Sequence, residues 1–574
     1  MYAFGTPTQD PRPLEAAHCA KERWDASPNR EAGPRSAFLT VGPRPQAIVS
    51  DAQSIASSRI SAHEAPVSNA VHEMAMDREV ATHSPASYTD YSVAGSASTY
   101  SDDKKKNREL EPVAWSYDDK IATPEFLGEL ETRYPLPAIK GSTLWSKIKY
   151  LCFTCYRKLM LIVLMVNVSI IASKIAIAND DPTSFTYRDA ATATGANLLV
   201  AILMRQEHVI NLLFHAACAL PYWMPLRLRS SAARFAYSNG GIHAGAGNSA
   251  LLWYIFYTVL LVQQFEGTPA EEKAISAITA ITVLLLVIII VMAHPFLRRQ
   301  YHNYWELSHR YCGWTAIALV WAQTVIIAIA NSHSKGHSVG LALIASPTFW
   351  FLVIITCCLI YPWLWLRRLP VHANKLSSHA TELHFHNRHA PLCSATRLSH
   401  SPLVENHGFA TIPRKDGEKG YSVLVSNAGD WTKKMITQPP SHIWQRGAPT
   451  TGVMRICSLF KPVIIVSTGS GIGPCTSFLN AQPKYPSRIL WAARFPEATY
   501  GSDVLTSVFE ADKDAVVVDT KKTGHPDLAA LAYALVQEMR AEAVMVISNP
   551  KVTRDVVYAM RARGIEAFGA IFDS

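Results

Sequence analysis

At 574 residues the chain is too long for one ordinary domain. Its 49% hydrophobic and 17% charged content are averages over dissimilar regions. The net charge of +9 comes mostly from basic loops beside apolar runs, and no RNA- or DNA-binding motif occurs, so a nucleic-acid partner is excluded.

Residues 1–140 are polar and rich in Ser, Ala and Pro, with few large aliphatics. Such a segment buries too little apolar surface to offset its ordering entropy, and the expectation is a disordered cytosolic region. Its first thirty residues contain no continuous apolar core, so no secretory signal is expected there.

Residues 145–370 read as a membrane domain. Six apolar runs are long enough to cross a bilayer or nearly so: Leu159–Ala178, Ala190–Leu220, Gly247–Phe265, Ala274–Ala293, Cys312–Ala330 and Phe349–Leu366. The loops alternate in charge. Asp180, Asp181, Glu271 and Glu272 lie in the first and third, and Arg227, Arg229, Arg234, Arg298, Arg299 and Arg310 in the second and fourth. Arg367 and Arg368 follow the last run; Lys104, Lys105, Lys106, Lys147 and Lys149 precede the first. The positive-inside rule then places both termini in the cytosol, with the lipid bilayer of the plasma membrane or another endomembrane as partner. None of the ten cysteines falls in an outer loop, so disulfides are not expected. Cys152 and Cys155 form a CxxC without a second pair to complete a zinc site; packing or palmitoylation explains it. Arg205, Glu207 and His208 sit deep in the second run, where charge is costly. A structural ion pair and a functional cavity are both open readings there.

Residues 371–456 carry short strands and turns, and 457–574 alternate strand and helix patterns. Strands are expected at Val463–Ser467, Arg488–Ala492, Ala515–Asp519, Ala543–Ser548 and Ile565–Phe572, with helices clearest at Asp527–Arg540 and Thr553–Arg563. That alternation predicts a parallel sheet with helices on both faces. The first strand leads into Thr468-Gly469-Ser470-Gly471-Ile472-Gly473-Pro474. Glycines let the backbone turn tightly against a phosphate, and Pro474 suits the first turn of a helix whose free N–H groups attract an anion.

This loop resembles the nicotinamide-binding loop of the ferredoxin–NADP reductase superfamily. In that superfamily a flavin-binding β-barrel precedes the loop's domain, and 371–456 fill its place. His407-Gly408-Phe409-Ala410-Thr411-Ile412 resembles the HPFTI flavin signature of ferric reductases and NADPH oxidases. Gly429-Asp430-Trp431-Thr432 resembles their GxWT element, and Arg446-Gly447-Ala448-Pro449 stands near their GPYG. "LRRQYHNYWELSHRYCGW" is similar to their entrance to a haem-carrying helix, and "RGAPTTGVM" and "GAIFDS" are similar to the fungal TmpA-type branch. The resemblance implies a six-helix transmembrane bundle followed by a cytosolic β-barrel and an α/β nucleotide-binding domain. It implies FAD against His407, Phe409 and Thr411, with phosphates near Trp431, Thr432 and Arg446. NADPH would lie on Thr468–Pro474, with Arg494 toward its 2′-phosphate and Asn549 in the late-strand motif. Phe572 would stack on the flavin. Two departures count against full activity: the barrel is short, and Ser548-Asn549-Pro550 replaces the family's Cys-Gly-Pro.

The same family carries two haems between its third and fifth spans, each helix offering two histidines about 13–14 residues apart, which stacks the haems roughly 20 Å apart. Here His243 and His309 stand at the cytosolic starts of those spans, but Tyr257 and Gln323 occupy the outer positions. The resemblance thus implies at most one b-type haem, on the inner side; ordinary interface histidines are the competing reading. Gly241, Ala244, Gly245 and Gly247 would leave room for a macrocycle. The function implied is a membrane-bound NAD(P)H-dependent flavin oxidoreductase passing electrons to a haem or small-molecule acceptor. A non-catalytic signalling or scaffold protein of degenerate ferric-reductase-like fold is the alternative.

Overall fold

The computed structural model describes residues 117–181, 184–336 and 338–570. Most of the segment expected to be disordered lies outside them, as does Phe572. Folded structure nevertheless begins before residue 140. Thr123 caps helix α1 (Pro124–Arg133) by accepting from the Phe126 N–H at 3.3 Å, with Pro124 at its first position. Leu127 and Leu130 are buried in the C-terminal domain, and the Ala122 N–H donates to the Val517 carbonyl at 2.8 Å. Two leucines three apart are a faint signal inside a polar sequence.

After the short α2 (Thr143–Lys147), the long helices are α3 (Cys155–Asp180), α4 (Tyr187–Leu203), α7 (Gly240–Gln264), α8 (Pro269–Met292), α10 (His302–Lys335) and α12 (Pro347–Leu364). Short helices α9 (Pro295–Gln300) and α11 (Val339–Ile344) flank α10. Among the described residues five helices are long and apolar enough to cross a membrane: α3, α7, α8, α10 and α12. The second expected run, Ala190–Leu220, is divided. Its first part, α4, has 17 residues and packs against α7 and α12. The chain then breaks at 204–206, where the Gln206 side chain caps α5 (Glu207–Cys218) by accepting from His208 N–H at 2.6 Å.

Helices α5 and α6 (Leu226–Tyr237) leave the bundle and cover the soluble region. Phe214, Ala217, Ala233 and Ala236 share one core with Ile456, Phe460 and Phe568. The apolar face of α5 is therefore buried against protein. An apolar run is blind to this difference, because burial removes the same area from water in either surrounding.

The soluble region begins with two four-stranded antiparallel sheets. One has the order β1 (Arg367–Pro370), β8 (His442–Thr451), β4 (Ser394–Ser399), β5 (His407–Ala410). The other has β2 (His372–Lys375), β3 (Ala380–Phe385), β7 (Tyr421–Ser426), β6 (Ile412–Pro413). Their facing side chains, among them Leu383, Leu398, Val423 and Ile443, form a core closed by Met435 of α13 (Asp430–Thr437). The hydrogen-bonded ladders are two sheets rather than one closed barrel.

The last domain is a five-stranded parallel sheet. Its strands are β9 (Val463–Thr468), β10 (Ser487–Ala493), β11 (Val516–Asp519), β12 (Ala543–Ile547) and β13 (Glu566–Gly569), each within a few residues of the expected position. Its helices are α14 (Ile472–Ala481), α15 (Pro496–Tyr500), α16 (Ser502–Ala511), α17 (Leu528–Met539) and α18 (Pro550–Arg561). The spatial order β11-β10-β9-β12-β13 reverses direction between β9 and β12, and ligands of such sheets bind outside the carboxyl ends at that point.

Candidate functional site

The glycine-rich loop lies at the reversal point. Gly469 has φ +53°, a backbone conformation open to glycine, and its carbonyl accepts from the Trp491 indole N–H at 3.0 Å. A Cβ on Gly471 would overlap the Ile547 carbonyl oxygen and stand 3.0 Å from Ser467 Oγ. The loop is thus pressed onto the end of β12. Thr468 Oγ1 and Ser548 Oγ, 2.5 Å apart, tie the two strand ends together. Ile472 is buried, no side chain caps α14, and Pro474 occupies its first turn. The first N–H groups remain available to an anion. Ser470 Oγ meets Ser426 Oγ of β7 at 2.6 Å, and a Cβ on Gly473 would stand 3.3 Å from Leu424 Cβ. The loop therefore also contacts the double-sheet domain.

Asn549 and Arg494 lie nearby. Asn549 Oδ1 accepts from the Lys551 and Val552 N–H groups at 3.1 and 3.0 Å, so it caps α18. Arg494 is exposed past the end of β10. Beside it Phe495, a residue sequence reasoning missed, has φ +46° and an exposed ring, held by its N–H to Asp519 Oδ1 at 3.0 Å.

The flavin-signature residues form an aromatic cluster. Trp431 lies 4.3 Å from the His407 ring and 5.6 Å from those of Phe409 and His400. Its indole N–H donates to Glu405 Oε1 at 2.8 Å, and Glu405 Oε2 is 3.5 Å from His407 Nε2. Burial lowers the pKa of His400. Thr411 is buried, its hydroxyl donating to the Ser394 carbonyl at 3.0 Å. The Thr432 hydroxyl accepts from the Gly429 N–H at 3.0 Å and donates to the Gly429 carbonyl at 2.9 Å. Both threonines are thus engaged within the chain. By contrast His400 Nε2, Asn406 Oδ1, His407 Nε2 and Arg446 Nε are buried without hydrogen-bond partners, and such groups call for a polar ligand.

Arg446 stands where the sheets meet the membrane helices. Its guanidinium lies 4.8 Å over the Trp363 ring. Burial, then the charges of Arg310 and Arg397, lower its pKa to about 10. Arg397 faces it across β4 and β8. Like charges in register repel, and Glu207 of α5, itself 2% exposed, pairs with Arg397 at 2.5 Å. Glu207 therefore serves the soluble domain, not the bilayer interior. His208 meets Tyr361 Oη at 2.5 Å, and Asn211 binds Pro449 O and Thr451 N at 3.0 and 2.7 Å. Arg229 pairs with Glu542 at 2.9 Å, and Arg234 with Glu566 at 2.5 Å. These arginines, read in sequence as loop charges, fasten the parallel-sheet domain.

His243 of α7 and His309 of α10 come together, with ring centroids 6.2 Å apart. His243 Nδ1 is 2.8 Å from the Ala201 carbonyl, an arrangement that directs its Nε2 lone pair outward. His309 Nδ1 is buried without a partner. Its neighbour Arg310 donates to the carbonyls of Leu403 and Val404 at 2.8 and 2.7 Å, so the pair is tied to the loop bearing His400 and His407. The glycines do not serve this pair as expected. A Cβ on Gly241 would overlap the Tyr156 carbonyl, and one on Gly245 would stand 2.8 Å from Met160 O. They are a small-xxx-small stripe letting α7 lie against α3. His215, His294 and His302 engage Asn211 O, Phe296 N and the Trp305 ring.

Residues 453–574 match the family of the adenylate-forming reductase 03009 C-terminal domain. The chain is 40% identical over 430 residues to adenylate-forming reductase 03009 of Coprinopsis cinerea and 40% identical over 428 residues to adenylate-forming reductase 06235 of the same fungus. Each match covers 74% of this chain but only 41% of the relative, so the chain spans under half of their length. An alignment of 430 residues exceeds everything outside 145–370 and therefore extends into the membrane helices. Among solved structures, a Neisseria gonorrhoeae ferredoxin NADP+ reductase with bound FAD and NADP is 12% identical, covering 36% of this chain and 99% of its own, with a TM-score of 0.28. A Malassezia yamatoensis flavohemoglobin with bound FAD and heme is 14% identical, covering 67% and 98%, with a TM-score of 0.31. Scores this low carry no fold assignment.

Proposed function

We propose that the chain is a membrane-bound NAD(P)H-dependent flavin oxidoreductase whose electrons leave toward a haem or a small-molecule acceptor. The observation that carries this reading is the loop of Gly469–Gly473 at the sheet's reversal point, pressed onto β12 and against the double-sheet domain. The naming of both Coprinopsis relatives as reductases supports it. The uncapped start of α14 binds the nicotinamide dinucleotide's phosphates, and Arg494 and Phe495 take its other end. His400, Asn406, His407 and Arg446 offer buried unpaired polar atoms to FAD. His243 and His309 would hold one b-type haem through ring nitrogens that no protein group engages. When bound, a flavin accepts two electrons from nicotinamide and releases them singly, and a haem relays single electrons. The Arg310 contacts keep the two sites adjacent. At about 26 Å, α4 reaches most of the way across a bilayer, giving six spans and both termini in the cytosol of a plasma or other endomembrane.

A second reading, a membrane scaffold protein without catalysis, is favoured by Trp431 lying over His407 and Phe409 and by the internally bonded Thr411 and Thr432. A spectrum of detergent-purified full-length protein separates the two. The oxidoreductase shows a flavin band and NADPH-dependent dye reduction; absence of both leaves the scaffold. A Soret band that disappears in both His243→Ala and His309→Ala, with the flavin band retained, supports the haem. Its absence from the purified protein removes the haem alone.

A further inference from the structure

The membrane bundle holds a second site, at the end away from the soluble domain. A cavity of about 640 Å³ lies among α4, α7, α10, α11 and α12, a size typical of small-molecule sites. Tyr257 and Gln323, the positions without histidines, line it. Most of its wall is apolar, as at Leu198, Val320, Ile327 and Leu343. Two of its polar groups are already satisfied: Tyr254 donates to Gln323 Oε1 at 2.9 Å, and Gln323 Nε2 donates to Thr279 Oγ1 at 2.6 Å.

Two others are not. Tyr257 is 2% exposed and lines the cavity, yet its hydroxyl has no hydrogen-bond partner among the described residues. The hydroxyl opens onto the cavity and can bond water or a ligand there. Arg188 also lines the cavity. Arg188 is exposed, and its guanidinium donates to Asn331 Oδ1 and to Tyr187 Oη at 3.4 Å and lies 5.7 Å from the Tyr187 ring centroid, with no carboxylate in ion-pair range among the described residues. The Tyr187 ring is in turn 6.5 Å from that of Tyr257. One cation and one open hydroxyl thus stand at the same end of an apolar hole. That combination selects an apolar molecule with a small anionic head.

We propose that this cavity binds a long-chain carboxylate, its head held by Arg188 with the Tyr257 hydroxyl as second donor and its chain along the apolar wall. The inference does not depend on the flavin or haem reading. The test uses the full chain in phosphatidylcholine nanodiscs and a diazirine-bearing hexadecanoate as photo-crosslinker. Labelling maps by mass spectrometry to the cavity wall and is competed by hexadecanoate but not by hexadecanol. Arg188→Gln lowers apparent affinity about tenfold, as expected for a lost charge-assisted contact. Tyr257→Phe lowers it less, and Ala342→Trp, which fills the cavity, abolishes labelling. Each variant is compared at equal monodispersity; if Ala342→Trp is not monodisperse, Leu343→Phe takes its place. Equal competition by hexadecanol overturns the proposal, because recognition is then of the chain alone. Labelling that persists unchanged in Arg188→Gln also overturns it and marks a bilayer lipid tail.

Discussion

The chain has two glycine-rich stretches, Gly240–Gly247 and Gly469–Gly473, and they use the missing side chain for different ends. In the first, Gly241 and Gly245 let one helix backbone touch another. In the second, Gly471 lets a loop touch a strand end while leaving the α14 N–H groups open outward. The residue is the same, but the neighbour that a Cβ would strike differs. Composition alone therefore cannot tell helix packing from phosphate binding, whereas the secondary structure on either side can.

The largest expected effect is Gly241→Ala. The added methyl meets the Tyr156 backbone carbonyl, which has no rotamer to yield. We expect a loss of about 3 kcal/mol, read as early thermal unfolding or loss of monodispersity in detergent. An unchanged transition would show that α3 and α7 do not approach as described. The comparison also assumes that both stretches belong to one docked unit, and Glu542 tests that. Glu542→Gln leaves the buried Arg229 charge without its partner and should weaken docking by about 3 kcal/mol, seen as faster proteolysis between 218 and 226.

The same carboxylate gives a pH dependence. Burial raises its pKa, but the Arg229 side chain and the Lys461 N–H outweigh that and hold it below its ordinary value of 4.5. Its folded pKa is depressed, so its stabilisation is complete above that ordinary value and is lost as pH falls through the lower, folded one. Proteolysis of the wild type should accelerate across that acid window, while Glu542→Gln shows no further step there. An acid step of equal size in the variant would assign the effect to another group.

Gly471→Ala probes the second stretch. The methyl meets the Ile547 carbonyl and displaces the loop rather than unfolding the sheet. NADPH binding should weaken about tenfold, or about 1.4 kcal/mol, in a fluorescence titration with little change in melting temperature. Equal NADPH affinity would remove this loop from the nucleotide site.

The parallel-sheet domain was legible because its signals are local: strand, glycine turn, helix, repeated with short connections. His243 and His309 were legible as a pair because helix length and loop charge fix which ends of two spans are neighbours. Gly241 and Gly245 beside His243 were misread. Which face of α7 they occupy depends on α3, and no local pattern reports a partner helix. The apolar run through Phe214 was misread for a related reason, since hydropathy records that a face is buried and not what buries it. The cavity near Tyr257 was outside sequence reasoning altogether, because an open space is a property of five helices at once. In the flavin region the motif residues were found, but the internal bonding of Thr411 and Thr432 depends on distances that spacing does not carry.

The smallest expected effect sharpens the contrast within a single stretch. Gly247 lies on the same helix as Gly241, yet a Cβ there would meet nothing within 4 Å. No packing contact or left-handed backbone requires glycine at that position. Gly247→Ala should therefore be tolerated and should stabilise the helix by up to about 1 kcal/mol, the ordinary propensity difference between the two residues. The expected reading is an unchanged or slightly raised melting temperature beside the large loss in Gly241→Ala. If Gly247→Ala also lowers stability, something must fill that open space in the working protein. If at the same time it removes a Soret band, the filling group is the haem that His243 and His309 would hold.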